Sequence, residues 1–264
     1  PRGFDIRAET CLAADRGKKS VMLTYPDDLV PMSLSGSGEV SGPVLFCGYG
    51  ISAPDLGYDD YAGLDVSGCV VVVLRHAPGM DDRKSPFSNA AAQRRHATFQ
   101  AKVDTAVAAG ALALLIVNDP AACWKPKDDV LLTKVGGKSG KIPVLHLTYK
   151  AAKRLAKTMG IGLQKEQRAI DGRGEPRSRR LDGVELHVVA DLVTRTLPVR
   201  NICARLRAPG EIQDPRETLL LGGHFDHLGF GEYGSRAGSK GKGTVHNGAD
   251  DNASGTAMVM ELAR

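Results

Sequence analysis

The sequence predicts an α/β protein built in two parts. Two apolar runs rich in β-branched residues, 69–74 and 113–117, flank a stretch from 96 to 109 in which Phe99, Val103, Ala106 and Val107 recur at spacings of three and four. Strands apolar on both faces belong to a sheet covered on both sides, and the three-to-four spacing marks a helix. Strand, helix and strand in that order make an α/β unit. The 264 residues are long enough for two domains rather than one, and a further apolar strand, 217–221, runs into Gly222 and Gly223 well beyond that unit.

The remaining elements follow in order. Residues 21–25 read as a strand, 33–38 as loop, 43–47 as a short buried strand and 58–61 as a polar loop. A polar loop over 79–93 leads into the helix at 96–109, which Gly110 stops. Asn118, Asp119 and Pro120 end the 113–117 strand in a turn. Residues 142–147 give another strand and 151–159 a helix. In 184–190, Val184, Leu186 and Val188 alternate with Glu185 and His187, as in a half-exposed strand. A strand at 201–206 precedes the one at 217–221, and 253–264 closes the chain as a helix with Ala257, Met258, Met260, Leu262 and Ala263 as its apolar members.

Composition narrows the function. Hydrophobic residues are 42% and charged residues 25% of the chain, ordinary for a globular protein. The net charge of +5 is partly local to 165–180, which has no aromatics and no nucleic-acid motif, so this stretch reads as a solvated loop and nucleic acid is excluded as a partner. No apolar run approaches the ~18 residues of a membrane span. The chain starts at Pro1 with no charged-then-apolar leader, so it is expected to begin inside a longer chain or after a removed targeting segment. The five cysteines include no CxxC pair, which excludes a zinc ribbon; Cys47, Cys69 and Cys203 lie in apolar runs and are expected as buried free thiols. His96, His146 and Trp124 have no partner motif and read as structural.

Two motifs carry chemistry. His224 and Asp226 follow an apolar strand and two glycines; on an extended segment, positions i and i+2 point to the same side. One imidazole nitrogen can bind a metal while a carboxylate accepts the proton of the other, or binds a metal itself. The stretch 247–255 then places Asp250, Asp251 and Asn252 in a turn that opens the last helix. An N-cap accounts for one such residue. Massed carboxylates repel unless a cation or hydrogen-bond donors compensate, and a divalent metal does so.

Gly-Gly-His224-Phe-Asp226-His227-Leu-Gly followed by Asn247-Gly-Ala-Asp250-Asp251-Asn252-Ala-Ser-Gly255 resembles the two-zinc aminopeptidases, a family that includes bacterial leucyl aminopeptidases, glutamate carboxypeptidases and the catalytically dead transferrin receptors. The resemblance implies that His224 binds one zinc, that Asp226 orients His224 and so belongs to the catalytic machinery, and that Asp251 bridges two zinc ions; it assigns no role to His227 or His246 and leaves Asp250 to shape the turn. The middle of the chain resembles the protease-associated (PA) domain, on 68–75, on Phe99 to Lys102, on 109–119 and on Ile142, Pro143 and Val144. The implied layout is a leading segment of the peptidase domain at 1–35, a β-rich PA domain at 36–190 and the start of a zinc-peptidase α/β/α sheet domain at 191–264.

The implied function is a zinc-dependent aminopeptidase acting on the N-termini of peptides or proteins. The alternatives are a non-catalytic receptor of the same family and a metal-dependent hydrolase of a non-peptide amide. The family's site also uses a Glu-Glu pair, a further Asp and a final His, all downstream of the Asp-Asp motif. The sequence has no Glu-Glu pair and ends at Arg264, so it is expected to be a fragment that is inactive alone. Relatives with this domain pair imply an exported or membrane-anchored protein.

Overall fold

The apolar runs of the sequence become adjacent parallel strands. The computed structural model describes residues 2–120, 140–196, 200–206, 218–231, 241 and 243–264. They fall into two compact units, Pro1–Leu197 and Pro198–Arg264.

The first unit contains strands β1 (Arg2–Ile6), β2 (Cys11–Arg16), β3 (Lys19–Thr24), β4 (Leu29–Pro31), β5 (Gly38–Phe46), β6 (Ser52–Ala53), β7 (Tyr58–Asp59) and β8 (Val70–Leu74), then the one-turn α1 (Ala90–Ala92) and α2 (Phe99–Ala108). β9 (Ala113–Val117), β10 (Val144–Leu147), α3 (Tyr149–Met159), α4 (Leu163–Arg173), β11 (Arg179–Ala190) and β12 (Leu192–Thr196) complete it. Eight strands form one mixed sheet in the order β3-β2-β11-β5-β8-β9-β10-β4. The pairs β5–β8, β8–β9 and β9–β10 are parallel, and the other ladders of this sheet are antiparallel.

All five residues of β8 and all five of β9 are buried. Along β8, Val70, Val72 and Leu74 pack in the core shared with Leu155 of α3 and Ile170 of α4, while Val71 and Val73 pack with Val103 and Ala106 of α2. The sheet is therefore covered on both faces, as a strand without polar alternation requires; each fully buried Val or Leu contributes about 1.5–3 kcal/mol. The helices begin where their caps allow: the Thr98 and Thr148 hydroxyls accept from the amides of Ala101 and Ala151. α3 ends at Gly160, whose φ of 73° is the left-handed C-terminal conformation that glycine adopts without steric cost.

Several expectations are corrected. Residues 165–180 are no solvated loop, since they hold most of α4 and the start of β11, with Glu166, Gln167 and Ile170 of α4 buried. β2, β3 and β4, from the leading residues, lie in the same sheet as β5 and β8. The strand at 201–206 and the described part of 217–221 have no ladder partner among the described residues and are not strands; a strand exists only where a neighbour takes its backbone groups. Cys203, expected buried in the first of these, is consequently exposed, whereas Cys47 and Cys69 are buried free thiols as expected. Cys123, Trp124 and Glu217 lie outside the described residues. In the second unit, a turn at Ala249–Ala253 leads into α5 (Ser254–Leu262). No described helix is long and apolar enough to cross a membrane.

Candidate metal centre

Backbone packing brings the two predicted motifs together within the second unit. A Cβ added to Gly223 would lie 3.0 Å from the Gly255 carbonyl carbon and the Thr256 amide nitrogen, so this glycine admits the start of α5 against the segment carrying His224. Gly222, by contrast, faces open space. The approach that Gly223 permits is to the first residues of α5.

The turn before α5 sorts its polar residues. Asn252 Oδ1 accepts from the Gly255 amide at 3.1 Å, which is the capping role. The Ser254 hydroxyl donates to the Asp250 carbonyl at 3.2 Å, so Asp250 serves the turn through its main chain. Asp251 is left with its carboxylate turned to the histidines: Oδ1 lies 3.1 Å from His224 Nε2 and Oδ2 lies 4.0 Å from His227 Nδ1. The Asp251–Asn252 peptide is cis.

On the other side of the ring, His224 Nδ1 lies 3.0 Å from the main-chain oxygen of Asp226 and 3.7 Å from its carboxylate. A carbonyl oxygen only accepts, so Nδ1 carries a proton and donates it there. In a neutral imidazole Nε2 is then an acceptor, and it faces a second acceptor, Asp251 Oδ1. Two acceptors at 3.1 Å repel unless a cation or a second ring proton lies between them. Two ligand atoms held at about 2.0–2.2 Å by one tetrahedral zinc lie ~3.4 Å apart, so this pair fits as one edge of a zinc site. The nearer partner of His224 Nδ1 is thus the main-chain oxygen of Asp226, not the carboxylate through which the resemblance implied the orienting contact. The side chains are open to water, with 52% of His224, 87% of Asp226 and 73% of Asp251 exposed. Among the described residues, no three His, Cys, Asp or Glu side chains converge as a metal-holding group.

His227 beside Asp251 was not singled out from the sequence; its signal was a second histidine three residues after His224. His246 is structural, as its Nε2 meets the Gly241 carbonyl at 3.0 Å and its amide donates to Gly229.

The first unit holds a separate polar cluster that the sequence reading also missed. Lys102, fully buried, donates to the carbonyls of Tyr49 and His76. Burial pushes its ammonium down, opposed by the charges of Asp60 and Asp119. Burial pushes the Asp60 carboxyl up, against hydrogen bonds from the Ile51 amide, the Tyr58 hydroxyl and the Tyr49 amide. Every buried charge here has partners, so the cluster reads as a structural network.

Residues 201–264 match Peptidase family M28, and residues 40–155 match the PA domain. No curated protein matches the chain significantly. Among solved structures, an aminopeptidase from Aneurinibacillus sp. strain AM-1 aligns with 73% of this chain and 34% of its own, at 16% identity and a TM-score of 0.41. The zinc aminopeptidase BSAP from Bacillus subtilis aligns with 74% of this chain and 34% of its own, at 14% identity and a TM-score of 0.35. The subtilisin-like protease Apa1 from the Antarctic Pseudoalteromonas sp. AS-11 aligns with 70% of this chain and 34% of its own, at 10% identity and a TM-score of 0.32. The chain spans about a third of the length of each of these structures.

Proposed function

We propose that this chain carries part of the site of a two-zinc aminopeptidase, which hydrolyses the N-terminal bond of peptides or proteins. The observation that carries the reading is the confrontation of His224 Nε2 with Asp251 Oδ1 at 3.1 Å, two acceptors that a metal ion reconciles. The match of 201–264 to Peptidase family M28 gives the reaction class.

His224 would help hold one zinc ion through Nε2, and Asp251 would help hold both ions. Asp226 keeps the proton on His224 Nδ1, so that Nε2 presents a lone pair to the metal side. Zinc, when bound, supplies Lewis acidity and a water of lowered pKa. The exposure of the three side chains leaves this edge accessible to a substrate's amino terminus.

The test uses the protein translated from its whole open reading frame. Metal analysis is expected to find two zinc ions per chain, with release of N-terminal residues from free but not N-acetylated peptides. Asp251→Ala is expected to lose zinc and all but a trace of activity. Asp226→Ala, which keeps the main-chain oxygen that orients His224, is expected to lose metal affinity by about 10-fold only, the low end of the ~10–100-fold range for outer partners. Unchanged zinc content and turnover in Asp251→Ala would refute the proposal.

A further inference from the structure

One side chain joins the two motifs without contributing a charge. The Thr256 hydroxyl lies 2.9 Å from the His224 carbonyl oxygen and 3.2 Å from the Asn252 carbonyl oxygen. Both partners only accept, so Thr256 donates its single proton to them, more strongly to the nearer His224. The bond to Asn252 is the local one that a threonine makes four residues back in a helix's first turn. The bond to His224 spans 32 residues and ties the strand-end motif to the helix-start motif.

We propose that Thr256 is a positioning residue of the candidate metal centre, fixing the separation of His224 Nε2 and Asp251 Oδ1 through the main chains of the two motifs. The inference rests on the zinc reading given above. Three further features support it. Among the described residues, and apart from the histidine contacts to Asp251, no other hydrogen bond joins 218–231 to 249–264. Gly223, next to His224, lets the two backbones approach until a Cβ there would meet the Thr256 amide nitrogen at 3.0 Å and its Cα at 3.1 Å. Threonine is β-branched and stiff about χ1, so its hydroxyl is held in place with little loss of freedom.

The physical need for such a tie comes from the metal-free state. With neither a cation nor a second ring proton between them, the two acceptors facing each other push His224 and Asp251 apart. A hydroxyl that grips the carbonyl of His224 and the carbonyl following Asp251 opposes that movement and keeps the ligand edge assembled before the ion arrives. Loss of the hydroxyl would leave the ion to draw the motifs together at the expense of its own affinity.

The experiment measures zinc affinity of the whole protein by competition with a chromophoric chelator, in wild type, Thr256→Val, Thr256→Ser and Asp251→Ala, together with the thermal midpoint of each metal-free form. Thr256→Val is expected to bind zinc ~10–100-fold more weakly, as when an outer partner of a ligand is lost, with an unchanged metal-free midpoint. Thr256→Ser, which keeps the donor, is expected to stay within about 3-fold of wild type, well inside that range. Wild-type affinity in Thr256→Val, or an equal loss in Thr256→Ser, overturns the inference while the zinc reading stands. A wild-type protein that binds no zinc overturns both. Should Thr256→Val not fold, Thr256→Ala replaces it with the same two outcomes.

Discussion

At the scale of single residues, charge and burial decide what a histidine is for. His224 stands half exposed with a carboxylate at each ring nitrogen, whereas His146 is fully buried on β10. His146 Nε2 meets Asn118 Oδ1 at 2.9 Å, and its Nδ1 has no partner among the described residues. Burial, helped by the Arg75 charge, lowers its pKa from the ordinary 6.5 to about 4. Between those values the unfolded chain takes up a proton that the folded chain refuses, so stability falls as pH drops from about 6.5 toward 4. The full loss from this residue is about 3 kcal/mol. His146→Leu is therefore expected to flatten the decline in urea midpoint over this window. An equally steep decline in the variant would show that the acid sensitivity lies elsewhere. The sequence marked His146 as structural by its want of a partner motif, but its alternation along the strand could not disclose that one nitrogen would be stranded.

At the scale of elements, apolar runs and spacings were legible, and elements whose inner faces are polar were not. β8, β9 and α2 fall within three residues of the boundaries read from β-branched runs and three-to-four spacing, because their inward residues are almost all apolar. α4 was missed because its buried positions, Leu163, Glu166, Gln167 and Ile170, have helical spacing but two polar members. Glu166 is tolerated inside because Arg179 donates to both of its oxygens, at 2.8 and 3.2 Å, and Arg177 donates at 3.2 Å. Burial acts to raise the Glu166 pKa, but the hydrogen bonds and charges of Arg179 and Arg177 prevail and hold it below the ordinary 4.5. Its contribution is thus present above about pH 4.5 and is lost as pH falls through the lower folded value. Glu166→Gln is expected to cost about 1–3 kcal/mol at neutral pH, by leaving two guanidiniums without their anion. It should also remove the part of acid unfolding that sets in below pH 4.5. A neutral-pH stability equal to wild type would mean that the arginines find water instead.

At the scale of the whole molecule, the first unit supplies all the cover its sheet needs. Both hydrophobic clusters consist of residues between Leu12 and Ala190. The chain on either side is zipped by the antiparallel pairing of β1 with β12, from Arg2 with Thr196 to Ile6 with Leu192. The second unit differs. Its described apolar side chains face water, with Leu219 at 85%, Leu220 at 89% and Met260 at 70% exposure. The candidate site shows a like contrast: His224, Asp226 and Asp251 stand out in the sequence because few residue types can hold a metal, while Thr256 does not, because a main-chain tie leaves no mark in the pattern of charges. Stability follows buried apolar area, at about 25 cal/mol per Å², so the two pieces should behave differently when separated. A chain of residues 1–197 is expected to unfold in urea as one cooperative transition, with fluorescence and circular dichroism coinciding. Residues 198–264 alone are expected to show no cooperative transition, because the backbone entropy of ordering them, about 1–2 kcal/mol per residue, outweighs the little apolar area that the described residues among them bury. A broad, probe-dependent transition for 1–197 would show that its sheet depends on residues beyond Leu197; a sharp one for 198–264 would show that the exposed leucines and methionines find partners within their own segment.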